Sequence, residues 1–414
     1  MKVPPGPRTG REDDLPGRSP GFGARIWEEL AADLNGLDVQ GLRRRLVTVE
    51  GPAGAEIVAG GRRLVNFASN NYLGLASDPR VVAAAVAGLA RWGAGAGGSR
   101  LTSGNQGAYE ALEASLADWK GCESAVVFAS GYAAACGTIP ALAGEGDAVC
   151  ADRLNHASLI DGCRLSRAKL LVFPHADAGA LDGILARHRA AYGRVLVVTD
   201  GVFSMDGDVA PLPELLAVAE RHDATVVVDD AHASGVLGDT GAGTAEHFGL
   251  DNPERLVQLG TLSKALGSVG GYAVGPAILR EWLVNRARTL VYSTALPASC
   301  LEAARAAIPI AREAHGPRAR LRVLSGKLRS AGRALGYVVP EGGTPIVPLL
   351  LGESARAVRW HDRLAAAGSF VPGIRPPTVP LGTARLRVSL MADHTDSQLA
   401  CLLDGLAVAA AGDA

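Results

Sequence analysis

The run TLSKALG contains one lysine, Lys264, and follows directly on the apolar run RLVQLG. A lysine with small neighbours at the end of a strand can lose part of its hydration, which lowers the pKa of its amine and makes it a competent nucleophile and base. A lone lysine is more often an exposed surface residue. Because its neighbours here are small and uncharged, a pocket is as reasonable an interpretation as the surface.

A second candidate is Asp229, which ends the apolar run ATVVVD and is followed three residues later by His232. A carboxylate buried at the end of a central strand is costly unless it meets a cation or a hydrogen-bond donor. A protonated pyridinium nitrogen would be such a partner. The alternatives are a helix N-cap and a metal ligand acting together with His232.

Two further sites also follow β-rich runs. Ser130, Gly131 and Tyr132 lie between the run SAVVFA and a helical pattern, where a small turn presents free backbone N–H groups that suit a phosphate. An ordinary strand-to-helix turn is the simpler alternative. His156 follows the run DAVCADRL and can stack on a flat ligand, transfer a proton or cap the next helix. Taken alone, the residue types favour the cap.

Gly93, Gly95 and Gly98 have the G-x-G-x-x-G spacing of dinucleotide-binding folds. That motif must follow a strand, whereas these glycines follow an alanine-rich helical pattern. We therefore predict a flexible active-site loop here rather than a nicotinamide or flavin site.

These candidates require a sheet to position them. Short β-rich runs alternate with helical patterns along the middle of the chain: SAVVFA, DAVCAD, KLLVFP, RVLVVTD, ATVVVDD and RLVQLGTL. This alternation is typical of an α/β fold with a mainly parallel sheet flanked by helices. Ligands bind such sheets beyond the carboxyl ends of the strands, which is where all four candidate sites lie.

A chain of 414 residues is too long for one compact core. We predict a disordered tail, an N-terminal helix and hairpin segment, a large domain and a smaller α+β C-terminal domain, at residues 1–22, 23–77, 78–299 and 300–414. The N-terminal segment is predicted to contain two short helices, IWEELAADLNG and GLRRRLVTVE, and a hairpin, EIVAGGRRLVNFA, that turns at two glycines.

Composition excludes several classes of function. The 41 Lys and Arg residues balance 42 Asp and Glu residues, which gives no field for nucleic acid or an anionic membrane. The six cysteines have no zinc-ligand spacing, and no apolar run is long enough to cross a bilayer. The start of the chain lacks the apolar core of a signal peptide. We predict a cytoplasmic protein with no metal.

Nine stretches, taken in order, resemble the α-oxoamine synthases, which are pyridoxal 5'-phosphate (PLP) enzymes of the aspartate-aminotransferase fold, also called fold type I. The resemblance runs from about Leu42 to the C-terminus. The stretches are NFASNNYLGL, GAGGSRLTSGN, FASGYAAA, ADRLNHASLIDG, TDGVFSMDGDVAPL, VVVDDAHASGVLG, TLSKALGSVGGY, YSTALP and RPPTVPLGTARLRVS. The resemblance implies a seven-stranded sheet, a PLP cofactor and condensation of an amino acid with an acyl thioester.

The resemblance also implies roles for individual residues. Lys264 holds the cofactor and acts as the base, Asp229 keeps the ring nitrogen protonated, and His156 stacks on the ring. Ser204 and His232 are similar to residues that contact the ring hydroxyl. The remaining cofactor contacts are implied for Ser130, Gly131, Tyr132, Thr261, Ser293 and Thr294. Because the last two can reach the site of a partner subunit, a homodimer with shared active sites is expected.

Substrate contacts follow from the same resemblance. Arg387 is chosen for the α-carboxylate, because a planar guanidinium binds carboxylates better than an ammonium does. Asn70 is a candidate for the reacting carbonyl, and Arg43, Arg375 and Thr378 are candidates for sensing the acyl donor or organising the closed site.

The segment RPPTVP resembles the members that join L-alanine to a pimeloyl thioester, carried on coenzyme A or on acyl carrier protein. A sister synthase, such as a glycine-using acetyl-CoA ligase or a serine-using long-chain enzyme, is the nearest alternative. An aminotransferase and a non-catalytic PLP-binding regulator are alternatives from other classes.

Overall fold

The structure is a computed structural model that describes residues 24–251 and 254–411. The predicted tail at residues 1–22 lies outside this part. The chain divides between residues 46 and 47 into two compact units. The first unit contains the helix α1 (Ala24–Val39).

The predicted helix GLRRRLVTVE is wrong, because residues 42–48 form no regular element. Gly41 has a φ of 66° and Leu42 N donates to Leu37 O at 2.8 Å, which closes α1 in the manner of a glycine C-cap. The chain then leaves the helix in an extended direction. A charged run with three arginines is compatible with helix propensity, but the glycine before it decides the backbone.

Among its described residues, the second unit contains three sheets. Their strands are β1 (Val49–Glu50), β2 (Glu56–Ala59), β3 (Arg62–Asn66), β4 (Ser124–Phe128), β5 (Ala148–Asp152), β6 (Lys169–Phe173), β7 (Val195–Asp200), β8 (Thr225–Asp229), β9 (Leu256–Thr261), β10 (Gly271–Gly275), β11 (Ile346–Gly352), β12 (Ser369–Phe370), β13 (Gly373–Ile374) and β14 (Ala384–Ser389). The largest sheet has seven strands in the order β4-β10-β9-β8-β7-β5-β6, and β10 is antiparallel to both of its neighbours.

Helices surround these sheets. They are α2 (Pro79–Trp92), α3 (Gly107–Lys120), α4 (Gly131–Leu142), α5 (Ala157–Leu165), α6 (Ala178–His188), α7 (Leu212–Arg221), α8 (Thr244–His247), α9 (Ala277–Arg286), α10 (Arg288–Val291), α11 (Ala298–Arg312), α12 (His315–Ala334), α13 (Ser354–Ala366) and α14 (Asp396–Ala411). No helix among the described residues is both long enough and apolar enough to span a membrane.

The central strands are apolar because both faces of the sheet are covered. Neighbouring residues of a strand point to opposite faces. On β7, Val197 belongs to the same core cluster as Leu181 of α6, while Val198 belongs to the same cluster as Leu159 of α5. The fold class predicted from the sequence is therefore confirmed, and each of the six β-rich runs forms a strand. The seventh strand, β10, was not identified from its residues.

Two small sheets complete the second unit. β2 and β3 form the expected hairpin about Gly60 and Gly61, and β12 pairs with β3 in parallel. β11, β14 and β13 form an antiparallel sheet in which alternate residues of β14, Arg385 and Arg387, lie on the same face. The predicted boundary between a large and a small domain at residues 299 and 300 stays a prediction.

Candidate active site

The Lys264 amine lies beyond the carboxyl end of β9, three residues after Thr261. Its Nζ is 2.8 Å from Nε2 of His232. Burial lowers the pKa of Lys264 from 10.5 to about 8, and the carboxylates of Asp229 and Asp200 offset only part of that effect. The structure therefore gives Lys264 the lowered pKa that a nucleophilic amine and base needs.

Asp229 is the last residue of β8, and only 6% of it is exposed. Within residues 24–251 and 254–411, the carboxylate accepts one hydrogen bond, from Ala231 N at 2.9 Å. Burial raises the pKa of Asp229, while the nearby charge of Lys264 lowers it. A buried carboxylate with a single neutral hydrogen-bond donor fits a protonated ring nitrogen, which would add a charged donor.

His156 is the N-cap of α5, so the alternative favoured by its residue type is confirmed. Its Nδ1 accepts from Ser158 N at 3.3 Å, and its backbone N donates to Asp200 Oδ2 at 2.7 Å. These contacts fix both the backbone and one edge of the imidazole. The residue remains exposed, which leaves a ring surface that a flat ligand can cover.

A cradle of hydroxyl groups and glycine lies where α4 begins. Ser130 Oγ accepts from Ala133 N at 3.0 Å and caps this helix. A Cβ atom built on Gly131 would lie 3.3 Å from Cβ of Thr261, so the helix start contacts the end of β9. Thr261 Oγ1 is 2.6 Å from Ser263 Oγ. Hydroxyls beside a helix N-terminus suit a phosphate group, and Ser263 was missed in the sequence.

Tyr132 is 51% exposed and donates from its hydroxyl to Asp161 Oδ2 at 2.7 Å. Its backbone belongs to the first turn of α4, at the cradle, whereas its hydroxyl points to another helix. The predicted contact of its ring with the cofactor stays a prediction.

Arg387 is 5% exposed, although its guanidinium has no carboxylate partner among the described residues. It donates to neutral groups only: Asn70 Oδ1 at 3.2 and 3.3 Å, Ser389 Oγ at 2.6 Å and the carbonyl of Ser204. A buried cation without a carboxylate is costly. The substrate's carboxylate would supply the missing charge.

Tyr72 was missed in the sequence, although it lies two residues after Asn70. It is fully buried, and its Oη lies 2.6 Å from His232 Nδ1 and 3.2 Å from Asn70 Oδ1. Through these contacts Tyr72 connects Arg387 with Lys264. No sequence pattern indicates that one hydroxyl reaches across the fold to a histidine 160 positions away.

Arg385 was also missed. It is paired with Asp206 at 2.5 Å, and it donates to Met205 O at 3.2 Å. Arg385 and Arg387 together bind the segment that contains Ser204, so β14 fixes the turn that follows β7. Asp206 pairs with Arg385, and among the described residues Arg387 has no carboxylate partner.

Four predicted residues of the second unit lie in two segments, one between α10 and α11 and one between β13 and β14. Thr294 pairs with Ser99 through a backbone bridge, and among the described residues no hydrogen bond joins Ser293 or Thr294 to Lys264 or Asp229. Arg375 and Thr378 lie in the segment between β13 and β14, where Thr378 N donates to Arg375 O at 3.2 Å. Their roles stay predictions.

Arg43 belongs to the first unit, where it pairs with Asp38 at 2.5 Å. The contact of Arg43 with the acyl donor, which the resemblance implies, likewise stays a prediction.

The three parts of the site fit PLP. Lys264 offers an amine for its aldehyde, Asp229 a carboxylate for its ring nitrogen, and the start of α4 a cradle for its phosphate. His156 adds the exposed ring surface. The clusters of His, Cys, Asp and Glu among the described residues include none that could hold a metal ion.

Residues 62–406 match the sequence profile of the family "Aminotransferase class I and II". Among curated proteins, the 8-amino-7-oxononanoate synthase of Geobacter sulfurreducens is 50% identical over 376 residues, which is 90% of this chain and 96% of the relative.

Solved structures agree with this match. The Sphingomonas wittichii serine palmitoyltransferase superposes with a TM-score of 0.88 at 34% identity, over 95% of this chain and 99% of its own. A structure of SPT with PLP has a TM-score of 0.88 at 33% identity, over 94% and 99% of the two chains.

The fold and the site thus define a PLP-dependent transferase of aminotransferase class I and II. Within that class the level of identity is decisive, because it is about 50% over nine tenths of the chain for the curated relatives of one named activity. The chain belongs to the 8-amino-7-oxononanoate synthase family.

Proposed function

We propose that this protein joins L-alanine to a pimeloyl thioester in biotin biosynthesis. The α-carboxylate of alanine leaves as carbon dioxide, the thiol is released, and 8-amino-7-oxononanoate is formed. The observation that carries the proposal is Arg387, a buried guanidinium that has no carboxylate partner in the described part of the chain and is connected through hydrogen bonds to Lys264. The names of the relatives support the choice of substrates.

When PLP is bound, it withdraws electrons from the α-carbon of the amino acid, so that a base can remove the α-proton. Asp229 supports this by holding a proton on the ring nitrogen through its buried carboxylate. His156 covers one face of the ring, and the α4 cradle fixes the phosphate end. These residues orient the reacting carbon toward Lys264.

Lys264 Nζ takes the α-proton. Its pKa of about 8 leaves an appreciable fraction of free amine near neutral pH, in contrast to an ordinary lysine with a value near 10.5. The neighbouring His232 keeps Nζ in place through their 2.8 Å contact. The same nitrogen can later return a proton to the product.

Arg387 binds the carboxylate and thereby fixes the amino acid. Its two terminal nitrogens face Asn70, and the forked geometry suits a bidentate carboxylate. Asn70 then contacts the reacting carbonyl, while Arg375, Thr378 and Arg43 sense the acyl donor. These assignments follow the family resemblance.

A homodimer with shared sites and a cytoplasmic location belong to the same proposal. The family resemblance assigns Ser293 and Thr294 to the site of a partner subunit, and this supports the homodimer. The six cysteines are free thiols, which suits a reducing compartment.

Product identification tests the proposed function. The purified protein is incubated with PLP, one of alanine, glycine or serine, and pimeloyl-CoA or pimeloyl-acyl carrier protein, and the products are identified by mass spectrometry. Alanine should give the decarboxylated amino ketone, whereas turnover with an oxo acid and no thioester would instead identify an aminotransferase. A product from serine or glycine alone would indicate a sister activity, to which the serine palmitoyltransferase neighbours point.

Arg387 can be tested in the same assay. Arg387→Lys should raise KM for alanine about 10- to 100-fold, because one charge-assisted hydrogen bond is lost. Arg385→Lys is the matched control, since it alters a buried arginine on the same strand face and keeps a cation beside Asp206. Equal KM values for alanine in the two variants would contradict the assignment.

A further inference from the structure

Tyr72 lies at the centre of a hydrogen-bond chain between the arginine and the lysine of the site. Arg387 donates to Asn70 Oδ1, and Tyr72 Oη lies 3.2 Å from that oxygen. On its other side Tyr72 Oη is 2.6 Å from His232 Nδ1, and His232 Nε2 is 2.8 Å from Lys264 Nζ. The donors in this chain determine which nitrogen of His232 carries the proton.

The amide of Asn70 has a defined orientation. A guanidinium has donors and no acceptor, so the Asn70 atom that faces Arg387 must be its carbonyl oxygen. That oxygen accepts from Nη1 at 3.2 Å and from Nη2 at 3.3 Å. A carbonyl oxygen has two lone pairs. Both are engaged by Arg387, which leaves Asn70 a poor acceptor for a third donor.

The phenol proton of Tyr72 therefore goes to His232. The 2.6 Å distance to Nδ1 is much shorter than the 3.2 Å distance to Asn70. Burial lowers the pKa of His232 well below its usual value, so the ring is neutral and has a single N–H group. With Nδ1 accepting, that N–H group is at Nε2, which faces Lys264.

We propose that Tyr72 is a positioning residue that holds His232 in the tautomer with its proton on Nε2. In this tautomer His232 donates toward the lysine nitrogen and favours its uncharged form. Without the phenol hydroxyl the proton can move to Nδ1, and the bare Nε2 then stabilises a protonated lysine nitrogen. This inference rests on the proposed function in one respect, namely that Lys264 holds the cofactor.

Several charged or titratable groups surround this pair. Asp200 and Asp229 come from the ends of β7 and β8, Arg387 comes from β14, and His156 lies at the start of α5. Tyr72→Phe leaves all four in place and removes a single oxygen atom. A change in the proton affinity of the lysine nitrogen in that variant therefore reports the effect of the Tyr72 hydroxyl.

The test is a pH titration of the visible absorbance of the bound cofactor in the holoenzyme. Tyr72→Phe should raise the midpoint by about one pH unit, the equivalent of one neutral hydrogen bond. Tyr337→Phe is the matched control, because it also removes a buried tyrosine hydroxyl, which donates to Leu406 O at 2.8 Å in the C-terminal part of the chain. The control should keep the midpoint of the unaltered enzyme.

A second variant separates tautomer control from a packing defect. Asn70→Leu removes the competing acceptor and keeps the contact between Tyr72 and His232, so its midpoint should stay or fall. A general loosening of the site would instead move the midpoints of both variants in the same direction. If Tyr72→Phe does not fold, the titration of Asn70→Leu tests the inference in its place. A raised midpoint in Asn70→Leu overturns the inference.

The outcomes also distinguish this inference from the proposed function. A normal absorbance band with an unshifted or lowered midpoint in Tyr72→Phe overturns the tautomer inference and leaves the proposed function intact. The absence of any band from the enzyme and all variants after cofactor loading overturns both, because Lys264 would then not hold the cofactor.

Discussion

Asp200 and Asp229 lie opposite each other on the parallel strands β7 and β8, where their Cα atoms are partners in the strand register. Burial raises the pKa of both carboxyl groups, and the charge of Asp229 raises the pKa of Asp200 further. Lys264 lowers the pKa of Asp229, which favours Asp229 as the charged member of the pair. Asp200 accepts the backbone N–H group of His156 and thereby positions that histidine.

This pair allows a matched comparison of two substitutions. We expect Asp229→Asn to reduce kcat about 100-fold or more, because a preorganised charge at the reacting group is removed. The cofactor should still bind, since Lys264 and the α4 cradle are unchanged. The measurement is the rate of amino ketone formation together with the absorbance of bound cofactor.

Asp200→Asn is the control for that variant. An amide oxygen can still accept from His156 N, and asparagine has nearly the same shape as aspartate. The loss of kcat should stay below about tenfold, the equivalent of one ordinary hydrogen bond. Comparable losses in the two variants would show that the charge of Asp229 is not the reason for its effect.

The lowered pKa of Lys264 predicts how cofactor uptake depends on pH. Only the free amine reacts with an aldehyde, and below its pKa Lys264 is protonated. The rate at which the cofactor-free protein takes up PLP should therefore rise with pH. The midpoint of the rise should lie near pH 8, and the rate should level off at higher pH. Stopped-flow absorbance measures this rate. A midpoint near 10 would mean that the lysine is not desolvated.

A second buried lysine, Lys120, has a structural role. Its Nζ lies 2.8 Å from Asp230 Oδ2, and neither side chain has exposed surface. Lys120→Met leaves a buried carboxylate without its cation, so the free energy of unfolding should fall by about 3–5 kcal/mol. Urea titration at fixed protein concentration measures the change.

The control for Lys120 is an exposed ion pair of similar length. Arg80 and Asp78 are 2.7 Å apart, and the arginine side chain is 67% exposed. Arg80→Met should cost less than about 1 kcal/mol. If both substitutions destabilise the protein equally, burial of the Lys120 pair does not determine its contribution.

His175 gives stability a specific pH dependence. Burial alone would lower the pKa of His175, but hydrogen bonds to Asp152 and Asp208 raise it to about 10. Because the folded value lies above the unfolded value of 6.5, the stabilisation is complete below pH 6.5 and is lost as pH rises toward 10.

The urea midpoint of the protein should therefore exceed that of His175→Gln clearly at pH 6, and the difference should shrink by pH 9.5. A difference that stays constant over this range would show that His175 is not charged in the folded state.

The sequence predicted the sheet well where apolar runs were long. β5, β7 and β8 are buried on both faces, and such strands are recognisable from composition. β10 was missed because glycines occupy its ends. A Cβ atom on Gly271 would lie 2.3 Å from Ser130 O. Because the strand passes so close to the cradle, this position requires glycine, and that glycine makes the strand hard to recognise from sequence.

The site was predictable in part for a different reason. Lys264 and Asp229 follow strands, so their position at the sheet edge could be inferred. Tyr72, Asp200 and Arg385 act through contacts with residues distant in sequence. Their residue types and local spacing do not indicate those contacts, which form only when the chain folds.

The most direct measurement of the central claim is the site at which the cofactor is attached. The holoenzyme is reduced with borohydride and digested, and the modified peptide is identified by mass spectrometry. The reduced cofactor should be bound to Lys264, and Lys264→Ala should carry none. Attachment at another lysine, or no attachment in a protein that forms the amino ketone, would contradict it.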